Sequence, residues 1–367
     1  MHVRVIDSAQ GAWLTVGGRS VLNLCSNDYL GLAAAPELKA AAIHAIETAG
    51  VGVGGARSIS GTQRLHLELE QRLASFKGVD AAMLLSSGFL ANLSVVPALV
   101  SKGDVILSDD LNHASIVDGC RLSGAEIVRY AHADVDAVRA ALSEHRNTGK
   151  RMIVTDGVFS MDGDLAPLDR LAELARAADA MLVIDDAHGE GVVGGGGRGI
   201  VDHFGVRDAV TAEIGTLSKA FGVVGGYVCG SGAVLEQLRG QARPYLFSTG
   251  LSPADTAAAL AGVEALIASD EPVRKLWDNT RAFRVALAAL GLQPLGDGPI
   301  VPVVLGDEAR AQAVAQRLFE AGVFVVPIGY PMVPRGRARI RVMISAAHSV
   351  ADLESAARAI AAAVGGS

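Results

Sequence analysis

The chain has 367 residues, half of them hydrophobic and 19% charged, which excludes a disordered sequence and provides for one large domain with a smaller one. Its 32 basic and 39 acidic residues leave a formal net charge of −7, and the densest basic run, Arg335 to Arg341, is too short to make a nucleic-acid face. No apolar run is long enough to span a bilayer, the N-terminus lacks a signal core, and Cys25, Cys120 and Cys229 are too scattered for a metal pair or a disulfide framework; a cytoplasmic protein with no membrane, nucleic-acid or metal partner is expected.

In chain order, "AWLTVGGRSVLNL" reads as a hairpin turning at Gly17 and Gly18. "RLHLELEQRLASFKG" puts Leu65, Leu69, Leu73 and Phe76 on one helix face and stops at Gly78. "AAMLL" (81–85) is a buried strand ending at "SSG", with a helix starting near Phe89. "DVILSD", "RMIVTD" (151–156) and "AMLVID" (180–185) are further strands. "PLDRLAELARAAD" is a helix with Leu168, Leu171, Leu174, Ala175 and Ala178 on one face. Strand–helix alternation with apolar strands predicts an α/β fold with a mainly parallel sheet covered on both faces. From about Ser252 an alanine-rich helix leads into "IVPVVLG", "VFVVPIG" and "RIRVMIS", a smaller α+β domain. The expected divisions are a hairpin segment over 1–34, a large domain over 35–251 and a small one over 252–367.

Ligands of open α/β sheets bind at the carboxyl ends of the strands. Those ends carry Ser86-Ser87-Gly88-Phe89, then "LNHAS" with His113, "GVFSMDGD" with Ser160, "DAHGEG" with Asp185 and His188, and "GTLSKAFG" with Lys219. Singly, each has an ordinary explanation: a tight turn, a loop histidine, a helix cap, a surface lysine. Asp185 and His188 could ligate a metal, but no third ligand is evident. Two GxGxxG matches, at Gly50 and Gly194, lack the strand–turn–helix context of a dinucleotide site. Together the strand-end groups supply an anion-binding helix start, a flat ring, a carboxylate and an amine nucleophile. That is what pyridoxal 5'-phosphate (PLP) needs: a lysine for covalent attachment, a helix start for its phosphate, and an acid that keeps the pyridine nitrogen protonated so the ring acts as an electron sink.

The motifs "SNDYLGLA", "GTQRLHLELE", "SDDLNHASIVDG", "TDGVFSMDGD", "IDDAHGEGVVG", "GTLSKAFG", "ARPYLFSTG" and "ARIRVMISAAH", spread from Ser26 to His348, resemble those of the α-oxoamine synthases, PLP enzymes of fold type I. The resemblance implies that Lys219 holds the cofactor and serves as base, that Asp185 partners the pyridine nitrogen, and that His113 stacks on the ring. It implies that His188 and Ser160 bind the ring hydroxyl, and that Gly88, Phe89 and Thr216 bind the phosphate. It further implies phosphate contacts from Ser248 and Thr249 across a homodimer with shared sites, and capture of the amino-acid carboxylate by Asn27 and Arg341. Arg339 and Arg341 share a strand face, so spacing alone does not choose between them; the motif favours Arg341.

The implied activity condenses glycine or alanine with an acyl-CoA and releases CoA. Met332 in "YPMVPRG", where many 8-amino-7-oxononanoate synthases have threonine, points to a different acyl pocket, and "RSISGTQRLHLELE" and "ARIRVMISAAH" resemble the glycine C-acetyltransferase branch more closely; that branch is expected, with alanine and pimeloyl-CoA, or dual specificity, as the alternative. An aminotransferase or aldolase on the same fold disagrees with the histidine of "NHAS", and a non-catalytic PLP-binding protein would have no use for the lysine, aspartate and histidine set.

Overall fold

Gly17 and Gly18, with φ of 56° and 75°, turn the chain between β1 (Trp13–Val16) and β2 (Arg19–Asn23), a left-handed pair of conformations suited to a two-residue hairpin. In the computed structural model, which describes residues 4–365, this hairpin belongs to the smaller of two units: 4–35, 160–164 and 270–365 form one, and 36–159 with 165–269 the other.

The larger unit is built on a seven-stranded sheet. Its strands are β3 (Ala81–Leu85), β4 (Val105–Asp109), β5 (Glu126–Tyr130), β6 (Arg151–Asp156), β7 (Met181–Asp185), β8 (Ala212–Thr216) and β9 (Gly226–Gly230), in the order β3-β9-β8-β7-β6-β4-β5. β4 to β8 pair in parallel, and β9 alone runs against its neighbours β8 and β3. The sheet is therefore mainly parallel, as expected. Met83, Val95, Val96, Ile106, Ile116, Val154, Val183, Ile214 and Val228 form one core cluster between strands and helices. Each large apolar side chain so buried contributes about 1.5–3 kcal/mol.

The helix Arg64–Lys77 buries Leu69, Leu73 and Phe76, and Leu168–Ala178 buries Leu168, Leu171, Leu174 and Ala175, the faces read from the sequence. Three strands carry no clean sequence signal. β5, "EIVRY", is a sheet edge with only Tyr130 buried, and β8 and β9 are short and glycine-containing. Glu213 in β8 looks like a surface residue; it is fully buried because Lys77 and Arg207 both pair with it.

In the smaller unit, β10 (Ile300–Gly306), β12 (Val326–Ile328) and β13 (Ala338–Met343) form an antiparallel sheet in the order β10-β13-β12. β11 (Val323–Phe324) instead joins β2 in parallel. "VFVVPIG", expected as one strand, thus serves two sheets. The helices Glu271–Ala289 and Val350–Gly365 pack together.

The observed division differs from boundaries at 34/35 and 251/252. The β2–β11 pairing draws the hairpin into the unit that holds the C-terminal strands. The alanine-rich helix Pro253–Ala268 belongs to the larger unit, where it buries Ala257, Ala258 and Ala259 and packs against helices Pro36–Ala49 and Arg64–Lys77. No helix among the described residues is long and apolar enough to cross a membrane.

Candidate active site

Parallel strands deliver their carboxyl ends to one edge of the sheet, and the polar residues of the larger unit gather there. β7 ends in Asp185, which is 5% exposed. Its Oδ1 accepts from the Ala187 amide (3.0 Å) and its Oδ2 from Asn92 Nδ2 (2.5 Å). Asn92 Nδ2 also donates to Ser115 Oγ (3.0 Å), which lies 2.7 Å from His113 Nδ1. A polar chain thus runs from Asp185 through Asn92 and Ser115 to His113. His188 is buried in the turn that follows Asp185.

Asp156, at the end of β6, is the cross-strand neighbour of Asp185. Burial, then the charge of Asp185, push its carboxyl well above the ordinary range, although its Oδ2 accepts the His113 amide (2.7 Å). Burial holds the His113 imidazole below its ordinary value; Asp185 pulls it up and the Lys219 ammonium pushes it down. His113, Asp185 and Lys219 thus lie within electrostatic reach of one another.

An anion cradle adjoins this cluster. Ser87 caps the helix Gly88–Leu99 by accepting from the Leu90 amide (3.2 Å), while the Gly88 and Phe89 amides have no protein acceptor among the described residues. A Cβ on Gly88 would stand 3.2 Å from Thr216 Oγ1, so glycine brings that helix start close to the Thr216 hydroxyl at the end of β8. Thr216 Oγ1 donates to Gly225 O (3.1 Å) and lies 2.8 Å from Ser218 Oγ. The Phe89 ring meets His113 edge-on, with centroids 6.3 Å apart. Two open amides and two hydroxyls beside a flat ring, a carboxylate and a lysine are the donor set that a phosphorylated pyridine requires, and the residues present fit PLP.

Ser248 and Thr249 lie beside Ser86, the residue before the Ser87 cap. They line a shallow cleft with Arg57, Ser86 and Tyr245, and the Thr249 carbonyl accepts from Ser86 Oγ (3.3 Å). The smaller unit brings Asn27, Ser160 and Arg341 together: Arg341 NH1 donates to Ser160 O (2.8 Å), and NH2 lies 3.4 Å from Asn27 Oδ1.

That unit also separates the two arginines. Arg339, 1% exposed, is committed to Asp162 Oδ1 (2.7 Å) and to the Met161 and Arg337 carbonyls. Arg341 meets no carboxylate among the described residues, and burial depresses its guanidinium against the upward pull of Tyr29 and Cys25. A half-buried cation without an acid is poised for an anionic ligand.

Sequence reasoning passed over Asn92, Ser115, Asp156 and Ser218. The last three lie inside motifs already singled out. Asn92 had its own signal, an amide in the apolar helix "FLANLSVVPAL", where burial requires a partner.

Over residues 19–360 the chain matches the family of class I and II aminotransferases. It is 53% identical over 356 residues to the 8-amino-7-oxononanoate synthase of Thermosipho melanesiensis, covering 97% of this chain and 91% of that protein. The enzyme of the same name from Fervidobacterium nodosum is 52% identical over 361 residues, with the same coverages. Among solved structures, serine palmitoyltransferase (SPT) of Sphingomonas wittichii superimposes with a TM-score of 0.95 at 33% identity, covering 98% of this chain and 91% of that one. A high-resolution structure of SPT carrying PLP gives the same TM-score and identity, covering 98% and 92%. The 8-amino-7-oxononanoate synthase of Francisella tularensis gives 0.80 at 30% identity, covering 93% and 97%.

Proposed function

The chain belongs to the class I and II aminotransferase family and, within it, to the α-oxoamine synthases, PLP-dependent enzymes of the acyltransferase type, and from that membership we propose that it joins L-alanine to pimeloyl-CoA, releasing CoA and carbon dioxide to give 8-amino-7-oxononanoate, a step of biotin biosynthesis. The observation that carries this reading is about half identity, over nearly the whole chain, to enzymes bearing that name. The preference for glycine with acetyl-CoA drawn from Met332 gives way to it. Met332 is 47% exposed, so its side chain is a weak guide to the acyl group.

Bound PLP supplies an electron sink for negative charge developing at the α-carbon of the amino acid. The residues take the following parts. Lys219 Nζ holds the cofactor and accepts the α-proton. Asp185 would partner the pyridine nitrogen, with its two oxygens fixed by Asn92 and Ala187. His113 would stack on the ring, its rotation set by Ser115 through Nδ1. His188 and Ser160 bind the ring hydroxyl. The Gly88 and Phe89 amides and the Thr216 hydroxyl hold the phosphate. Asn27 and Arg341 bind the substrate carboxylate.

We also propose a homodimer in which Ser248 and Thr249 complete the partner's phosphate site. The exposed apolar side chains Val51, Ile59, Val224 and Phe247 support it. Sedimentation of the loaded protein as a monomer would contradict it.

Arg341→Ala is expected to weaken alanine binding by about 2–5 kcal/mol, roughly 30-fold or more in KM, because the substrate carboxylate loses a desolvated partner. Arg339→Ala should instead lower the Tm, since it strands Asp162. An unchanged KM for alanine in Arg341→Ala would remove Arg341 from the site.

The reaction itself is tested by thiol release from purified, PLP-loaded protein given alanine or glycine with pimeloyl-CoA or acetyl-CoA. Release with alanine and pimeloyl-CoA, with carbon dioxide in equal amount, is expected. Release confined to glycine and acetyl-CoA would overturn the proposal in favour of a glycine C-acetyltransferase.

A further inference from the structure

A group of buried ionisable residues adjoins the Thr216–Lys219 segment, and the reaction above makes no use of it. Lys77 Nζ pairs with Asp186 Oδ2 (3.1 Å) and Glu213 Oε1 (2.5 Å) and donates to Arg198 O (2.7 Å), with all three charged side chains fully buried. Arg207 pairs with the other oxygen of Glu213. Two cations thus answer two acids. Glu190, also fully buried, is a third carboxyl, and among the described residues no cation touches it.

Its oxygens are nonetheless committed. Oε1 accepts the Thr216 amide (2.6 Å), and Oε2 accepts the Tyr227 hydroxyl from β9. The fit across β8 needs a glycine: a Cβ on Gly215 would stand 2.4 Å from Glu190 Oε2 and 2.3 Å from Tyr227 Cζ. Three separate stretches, "HGEG", "GTLSK" and "GGYVCG", are therefore matched at one point.

We propose that Glu190 is a positioning residue for the cofactor cradle: clamped by Tyr227, it fixes the Thr216 amide, and with it the Thr216 hydroxyl and the strand end that leads to Lys219. The inference rests on PLP being held at Thr216 and Lys219. Burial pushes the Glu190 carboxyl up to about 8, against the lowering influence of Lys77, Tyr227, the Thr216 amide and Lys219. The other ionisable groups facing it are Asp186, Tyr227 and Cys229, each of which a charge on Glu190 pushes upward. Glu190 is thus neutral at pH 7 and becomes an anion behind an anion site as pH rises through about 8.

The test is the PLP dissociation constant of E190A, E190Q, Y227F and wild type, measured on cofactor-stripped full-length protein from pH 7 to 9, with K219A as control. E190A should bind PLP about tenfold more weakly, through loss of the acceptor for the Thr216 amide. E190Q keeps that acceptor and should stay within about twofold of wild type at pH 7. Above pH 8 the wild type should weaken relative to E190Q, which carries no charge to gain. If E190A does not fold, Y227F takes its place, with a loss of about threefold. Wild-type affinity in folded E190A, or E190Q as weak as E190A, overturns the positioning role; E190Q tracking wild type through pH 9 overturns the charge effect. Covalent cofactor retained in K219A would instead overturn the assignment of the attachment lysine, a failure visible independently of the Glu190 variants.

Discussion

Lys219→Ala is expected to yield a folded protein with no covalently held cofactor and at least about 10³-fold less activity. The expectation of a normal fold comes from the neighbours. Leu217, Ala220 and Phe221 are fully buried on either side, and the backbone between them is tied by Gly222 N to Lys219 O (2.9 Å) and Val223 N to Leu217 O (2.8 Å). None of these restraints uses the lysine side chain, which is half-buried. Borohydride reduction followed by peptide mass spectrometry reads the result: in wild type the peptide spanning Lys219 gains the cofactor mass, and in the variant no peptide does. Circular dichroism and Tm should stay near wild type. Cofactor mass recovered on another lysine would reassign the attachment site. A large fall in Tm would mean that the ammonium also supports the fold, through the field it exerts on His113 and Glu190.

Most of the strand-end chemistry was legible because it is local. A strand ending in Asp185, a helix opening at Gly88 and a lysine in a run of small residues each announce themselves within a few positions, and the parallel sheet brings its strand ends to one edge. Long-range partnerships left fainter marks. Nothing in "AEIGT" announces that Glu213 is buried, since its partners Lys77 and Arg207 lie 136 and 6 positions away in the sequence. Nothing in "DAHGEG" links Glu190 to Tyr227, 37 positions on. The choice between Arg339 and Arg341 was likewise closed to spacing, because both lie on one face of β13; Asp162, on another segment, neutralises only the first. The domain boundaries failed to show for a related reason: composition changes at Ser252, but burial of the alanine face assigns the next helix to the larger unit. Met332 says little about the acyl group, because a single exposed loop residue carries little information about a pocket.

Asp185→Asn should be nearly as damaging as loss of the lysine, and its neighbour supplies the control. The change removes the negative charge that faces the pyridinium while keeping the shape of the side chain. A loss of about 10³-fold in kcat/KM is expected, roughly 4 kcal/mol at the transition state. The amide has one acceptor oxygen for two donors, Asn92 Nδ2 and the Ala187 amide, so stability should fall by about 1–3 kcal/mol as well. Asp156→Asn at the adjoining strand end should behave in the opposite way. Burial and the charge of Asp185 raise the Asp156 carboxyl well above its ordinary value, which favours its neutral form, and asparagine still offers an oxygen to the His113 amide. Activity should change only about threefold or less. A carboxyl whose value is raised in the folded state binds its proton more tightly there than in the unfolded chain. Wild type therefore loses stability through Asp156 as pH climbs from about 4, the unfolded value, toward the raised folded one. The non-titrating Asp156→Asn protein escapes that loss, and its Tm relative to wild type should rise steadily as pH climbs above about 4. Parallel Tm curves would show that Asp156 ionises normally. Equal rate losses in the two variants would mean that the site reads the pair as a unit and does not single out Asp185.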